Sequence, residues 1–204
     1  SMCGIPWWNT DIGGFFGGDT QSEEFRELIV RWFQYGVFSP VMRLHGSRQP
    51  YTPIYNKAGE LREGTGTDNE PSGDPNELWS FGERIFEILK KLVFLRERLR
   101  PYIEHHMKIA SKKGYPVMRP MFFDFPDDKE CYTLGEQYMF GDDILFAPIV
   151  NRGQTKKTVY LPEGEWILTK DKKEYGKGYH TVTAEIDEFI AFVRKGAEII
   201  ECFA

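Results

Sequence analysis

Asp11, Arg43 and His45 are the residues of this sequence whose types and positions could do chemistry together. Asp11 follows the apolar run CGIPWWNT and opens a glycine-rich stretch, while Arg43 and His45 end a second apolar run, VFSPVMRLHG. If both runs are strands, the three polar side chains stand at strand carboxyl ends, where parallel α/β architectures carry ligands in open sheets and barrels alike. Phe15 and Phe16 lie beside them. A carboxylate, a guanidinium and an imidazole next to aromatic rings can hydrogen-bond hydroxyls and stack a sugar ring. The residues alone leave a plainer arrangement open, in which Asp11 caps the glycine turn, Arg43 pairs with it and His45 is a satisfied interior histidine.

Other chemistries fit less well. The glycines at 13, 14, 17 and 18 match neither G-x-x-x-x-G-K-[ST] nor G-x-G-x-x-G, so a phosphate cradle is disfavoured. His105 and His106 are adjacent, whereas a helical metal pair wants i, i+4 spacing; they read as a helix end. The acidic stretch TDNEPSGDPNE lacks the ligand ladder of a calcium loop and reads as solvated turns. Cys3, Cys131 and Cys202 form no C-x-x-C pair, which argues against a disulfide framework or zinc knuckle and favours a reducing, cytoplasmic compartment. No metal or organic cofactor is implied. No two carboxylates are evidently placed for paired acid and base work.

The elements that must hold these residues follow from periodicity. Cys3 to Thr10 is expected to be a buried strand. Thr20 with Glu23 resembles a capping box, and Phe25, Leu28, Ile29, Trp32 and Phe33 recur at helical spacing until Gly36 can end the helix. With the run before His45, residues 3–46 make one βαβ unit with parallel strands. Gln49 to Asn76 has many turn residues and is expected to be a long ordered loop. Glu77 to Lys113 turns helical again, with Leu78, Phe81, Ile85, Ile88, Leu89, Leu92, Leu95 and Leu99 on one face, a break at Pro101 and a stop at Gly114. Beyond Gly114, short β-favouring runs follow without helices, as in a small antiparallel sandwich.

The 204 residues suffice for one large or two small domains, and a net charge of −5 with no basic stripe argues against nucleic acid. No apolar run approaches the ~18 residues of a membrane span. Ser1 ahead of Met2 reads as a cloning remnant, with the native start elsewhere.

The motifs GIPWWNTDIGGF, RWFQYGVFSPVMRLHG, DNE with LWSFGE, GYPVMRPMFFDFPDD, QYMFGDDILFAPIV, VYLPEGEW and FVRKGAEII occur in this order. Together they resemble glycoside hydrolase family 31, the retaining α-glucosidases and α-xylosidases. The resemblance implies an α/β plus all-β chain: residues 1–113 as the C-terminal portion of a (β/α)8 TIM barrel, and 114–204 as a proximal β-sandwich. It implies that Asp11 and His45 bind sugar hydroxyls, Arg43 holds the carboxylate network and Phe15 walls the pocket of an oligosaccharide or small α-glycoside. RLHGS leans toward the α-xylosidase branch.

The departures carry equal weight. The family's nucleophile and acid/base aspartates belong to positions upstream of GIPWW, so the chain alone is expected to be inactive, with no catalytic residue of its own. PSGDP interrupts DNE and LWSFG, and EWILTKDKKEYGKGYHTV matches only loosely. Two barrel strands would leave parallel edges and an apolar helix face bare. Self-association, or complementation by the rest of a barrel, is therefore expected. A non-catalytic carbohydrate-binding or partner-complementing module is the alternative function.

Overall fold

The computed structural model describes residues 2–52, 57–60, 72–74 and 76–204. Its first part is built from β1 (Asp11–Ile12), β2 (Phe16–Asp19), α1 (Glu23–Val37) and β3 (Arg43–Leu44). β1 and β3 run parallel, with Asp11 opposite Arg43 and Ile12 opposite Leu44. The βαβ unit is therefore present, but its strands begin where the apolar runs were expected to end. Residues 3–10 are not a buried strand: Ile5, Trp7 and Trp8 are 55%, 53% and 46% exposed. Apart from the β1–β3 ladder, the backbone hydrogen bond of this segment among the described residues is that from Val41 N–H to the Trp8 carbonyl at 3.4 Å. An apolar run without a ladder partner on either side forms no sheet.

α1 is capped by Ser22, whose Oγ accepts from the Phe25 N–H at 3.4 Å, and not by Thr20. Thr20 instead offers its carbonyl to Arg26 Nε at 3.0 Å. Phe25, Ile29, Val30, Phe33 and Val37 are buried, whereas Leu28 is exposed. Gly36 lies inside the helix: a Cβ there would stand 2.6 Å from Ile12 Cδ1, so its smallness lets the helix lie on β1. The carbonyls of Val37, Ser39 and Pro40, orphaned where the helix ends, accept from the Arg96 guanidinium at 2.7, 2.6 and 2.8 Å.

The stretch expected to be one loop begins and ends as sheet. β4 (Ser47–Thr52) pairs parallel with β2 and antiparallel with β5 (Ser72–Asp74). The glycine run thus contains a strand, and a second parallel pair lies beside the first. The DNE motif at 68–70 and much of the acidic stretch lie outside the described residues.

α2 (Glu83–Arg98) follows a 3-10 turn, Leu78–Phe81, and leads through Leu99 into α3 (Arg100–Lys113). Pro101 falls in the first turn of α3, where its missing N–H leaves no bond unmade. Phe81, Ile85, Ile88, Leu89, Leu92, Leu95 and Leu99 are all buried, with Leu78 packed partly against them. His105 and His106 sit in mid-helix rather than at its end; His106 is buried and His105 exposed.

The sandwich contains β6 (Met118–Pro120), β7 (Tyr138–Phe140), β8 (Ile144–Phe146), β9 (Lys156–Leu161), β10 (Trp166–Leu168), β11 (Glu174–Tyr175), β12 (Gly178–Thr183) and β13 (Ala191–Arg194). Six strands form one antiparallel sheet in the order β11-β10-β13-β8-β7-β6, and β12 with β9 forms a second. The runs ILF and AFV are apolar at every position because the larger sheet is buried on both faces. Phe140, Ile144, Phe146, Ala191 and Val193 join the core of α1 and α2, while Met139, Leu145 and Phe192 share the other core with Val159, Leu161 and Val182. The α1 face expected to be bare is thus covered within the chain.

The two parts are joined by polar contacts as well. Buried Arg31 of α1 donates to the carbonyls of Glu188 at 2.9 Å and Glu185 at 3.1 Å, and Gln34 donates to that of Ile186 at 2.9 Å. Tyr138 Oη donates to the Phe38 carbonyl at 2.9 Å. Among the described residues no helix is long and apolar enough to cross a membrane.

Candidate functional site

The register that places Asp11 opposite Arg43 lets their side chains meet directly. Arg43 Nε donates to Asp11 Oδ1 at 3.0 Å, and Nη2 donates to the same oxygen. The pair is part-exposed, with Arg43 open to solvent over half its side chain. Asp11 does not cap the turn with its carboxylate; its backbone carbonyl does so, accepting from Gly14 N–H at 2.8 Å. Because both guanidinium bonds fall on Oδ1, the second carboxylate oxygen keeps its capacity to accept from a ligand hydroxyl.

His45 and Phe15 form the second half. Their ring centroids stand 5.4 Å apart at a tilt of 40°. Both residues are exposed, so His45 is not an interior histidine. Strand pairing brings Asp11 and Arg43 together, and the loops that follow bring Phe15 and His45 together. Two pairs therefore follow one another along the same two segments, a carboxylate with a guanidinium and an exposed phenyl ring with an imidazole.

Beneath this rim lies a residue that sequence reasoning passes over. Arg48 is fully buried, and its Nη2 donates to the carbonyls of Gly14 at 2.9 Å, His45 at 3.1 Å and Ile12 at 3.4 Å. Nη1 donates to Gly17 at 2.8 Å, and Nε to Asn76 Oδ1 at 2.7 Å. The glycine run folds around this guanidinium. At Gly46, where φ is +117°, a Cβ would lie 2.3 Å from the Gly14 carbonyl oxygen and 2.7 Å from that of Phe15. The available signal is the glycine run at 13, 14, 17 and 18 together with Gly46 of RLHGSR, which reports close backbone approach without naming what is approached.

No group of three or more His, Cys, Asp or Glu side chains among the described residues is arranged to hold a metal ion. Asp124, Asp127, Asp128 and Glu163 do line one open cleft, together with Lys129 and Lys177.

Comparison with known proteins places the chain. The model of the glycosyl hydrolases family 31 TIM-barrel domain matches residues 1–63, and that of the family 31 C-terminal domain matches residues 114–200. An α-xylosidase of Saccharolobus solfataricus is 36% identical over 97% of this chain and 24% of its own length. α-Glucosidase 2 of Bacillus thermoamyloliquefaciens is 31% identical over 97% of this chain and 22% of its own. The crystal structure of a family 31 α-xylosidase from a soil metagenome, complexed with xylose, superposes with a TM-score of 0.92 and 44% identity, covering 100% of this chain and 30% of that one. The chain therefore spans about a quarter of the length of the curated relatives it matches. It carries a TIM-barrel portion and a C-terminal β-sandwich, and it belongs to glycoside hydrolase family 31.

Proposed function

We propose that this chain supplies the sugar-holding rim of a retaining α-glycosidase, with residues 1–113 as barrel and 114–204 as sandwich. The observation that carries this reading is the Asp11–Arg43 pair on β1 and β3 followed, in the loops after those strands, by the Phe15–His45 ring contact. Asp11 and His45 hydrogen-bond sugar hydroxyls, Arg43 fixes the Asp11 carboxylate, and Phe15 covers an apolar ring face. The substrate is a terminal α-linked xyloside or glucoside. Identity to an α-xylosidase, and likeness to one complexed with xylose, favour the xyloside.

The reaction of the whole enzyme is double displacement through a covalent glycosyl intermediate, which needs two carboxyl groups about 5 Å apart. On the family resemblance both lie upstream of GIPWW, so Asp11 is neither of them; its ion pair with Arg43 makes it a charged acceptor for sugar hydroxyls. Both carboxylates come from barrel positions outside these 204 residues, and the chain alone does not hydrolyse glycosides. A p-nitrophenyl glycoside panel on the enzyme that contains this chain is the test. Release from the α-xyloside, weakened by His45→Ala, is expected; no release from either α-xyloside or α-glucoside overturns the reading.

A further inference from the structure

We propose that Arg48 is the positioning residue of the rim, fixing where Asp11, Phe15 and His45 stand without itself touching the sugar. The inference rests on reading the rim as a sugar subsite. The carbonyls that its Nη2 holds are those of Ile12, next to Asp11, of Gly14, next to Phe15, and of His45 itself. One nitrogen thus ties the loop after β1 to the end of β3. Nε adds Asn76, whose Nδ2 donates to the Gly46 carbonyl at 3.3 Å, so the peptide following Gly46 is held as well.

Geometry distinguishes this from a general core contact. Among the described residues, the carbonyls bonded by Arg48 belong to 12–17 and 45–47, the two segments that bear the rim. The sandwich is tied to α1 through a different guanidinium, that of Arg31. A buried carbonyl left without a donor is costly, so the two loops close only around a forked donor of this length. Lysine carries its donors on one atom and cannot span the same set of acceptors. Phe25 supports the fork from below, its ring centroid 5.2 Å from the guanidinium carbon.

The experiment compares the 204-residue chain with Arg48→Lys and Arg48→Met, using amide and imidazole resonances together with xylose titration. In Arg48→Lys the amides of Gly14, Phe15 and Gly46 and the His45 imidazole are expected to shift, and xylose affinity to fall about tenfold or more, the loss of a charge-assisted hydrogen bond. The amides of β7, β8 and β13 stay in place. Unmoved rim resonances with unchanged affinity overturn the proposal. Loss of the sandwich resonances in Arg48→Lys also overturns it, by making Arg48 a general stabiliser. Should the unaltered chain bind no xylose, the sugar reading fails by itself. The rim resonances then still decide the placement of Asp11 and His45, and unmoved signals in Arg48→Met reject Arg48 as their anchor.

Discussion

Asp11 and Arg43 face each other across the parallel pair of β1 and β3, and two guanidinium nitrogens converge on a single carboxylate oxygen. Because the pair is part-exposed, its worth to folding is small, below about 1 kcal/mol. Its worth to binding is larger, since a charged acceptor held in one orientation recognises a hydroxyl with about 1.5–3 kcal/mol. Asp11→Asn should leave the urea midpoint of this chain nearly unchanged. In the enzyme that contains the chain it should lower turnover of an α-xyloside by roughly tenfold to a hundredfold, the rate equivalent of that energy. A large loss of stability with intact turnover would assign the pair to the fold alone.

The glycine at position 46 gives a steric prediction. Its Cβ would strike two carbonyl oxygens, whereas at Gly14, with φ +83°, a Cβ meets nothing within 4 Å. Both positions carry the left-handed strain of about 1–2 kcal/mol that an L side chain suffers there. Gly46→Ala adds the clash and should be the more destabilising of the two by chemical denaturation. Equal costs would mean that the β3–β4 junction moves freely away from the glycine loop.

How much of this is legible in the sequence depends on what each residue needs from its neighbours. The periodicity of α2 is self-contained: Ile85, Ile88, Leu89, Leu92 and Leu95 repeat at helical spacing, and all are buried on one face. The apolar runs of β8 and β13 are equally plain, since a strand covered on both sides has no polar position to hide it. Ile5, Trp7 and Trp8 mislead, because hydrophobicity records a need for neighbours and not their presence. Ser22 and Thr20 can each cap α1 by residue type, and only the path of the preceding turn selects between them. Asp11, Arg43, Phe15 and His45 are visible by type and position. Arg48 is not, because nothing in a charged residue's identity says that backbone carbonyls will surround it.

Arg31 joins α1 to the sandwich through the carbonyls of Ala184, Glu185, Glu188 and Gln154. Burial pushes its guanidinium below the ordinary arginine value, with nearby Glu27 and Glu185 opposing that shift. Arg31→Met retains the apolar stem and strands the carbonyls, at a cost of about 2–3 kcal/mol. Urea unfolding of the chain should show that loss. If the barrel and sandwich parts then melt separately, Arg31 is what couples them.

His106 sets a pH dependence. Burial lowers its pKa to about 4; Asp142 opposes the shift, and Arg119 and His105 add to it. The folded chain therefore keeps the ring neutral where the unfolded chain would protonate it. Stability from this source is complete above about pH 6.5 and falls as the pH drops toward about 4. The loss approaches about 3 kcal/mol at most. Thermal melts from about pH 7 down to about pH 4 should show the decline, and His106→Leu should flatten it across that window. An unchanged slope in the variant would place the acid sensitivity elsewhere.

Exposed aromatic surface on the first segment makes the last prediction. Ile5, Trp7, Trp8 and Phe15 each expose between 46% and 55% of their surface, although the helix behind them is covered. Pro6 and Trp8 also line a cleft of about 310 Å³ with Tyr35, Pro40 and Met118. Apolar side chains exposed this way associate when they can, since each Å² withdrawn from water contributes about 25 cal/mol. We propose that the isolated chain pairs with a second copy through this segment. Sedimentation velocity should show a concentration-dependent shift beyond the monomer, and Trp7→Ser with Trp8→Ser should abolish it without altering the helical signal. Adding salt should not dissolve the pair, because burial rather than charge holds it. A monomer at every concentration would mean that the tryptophans tolerate water as they stand.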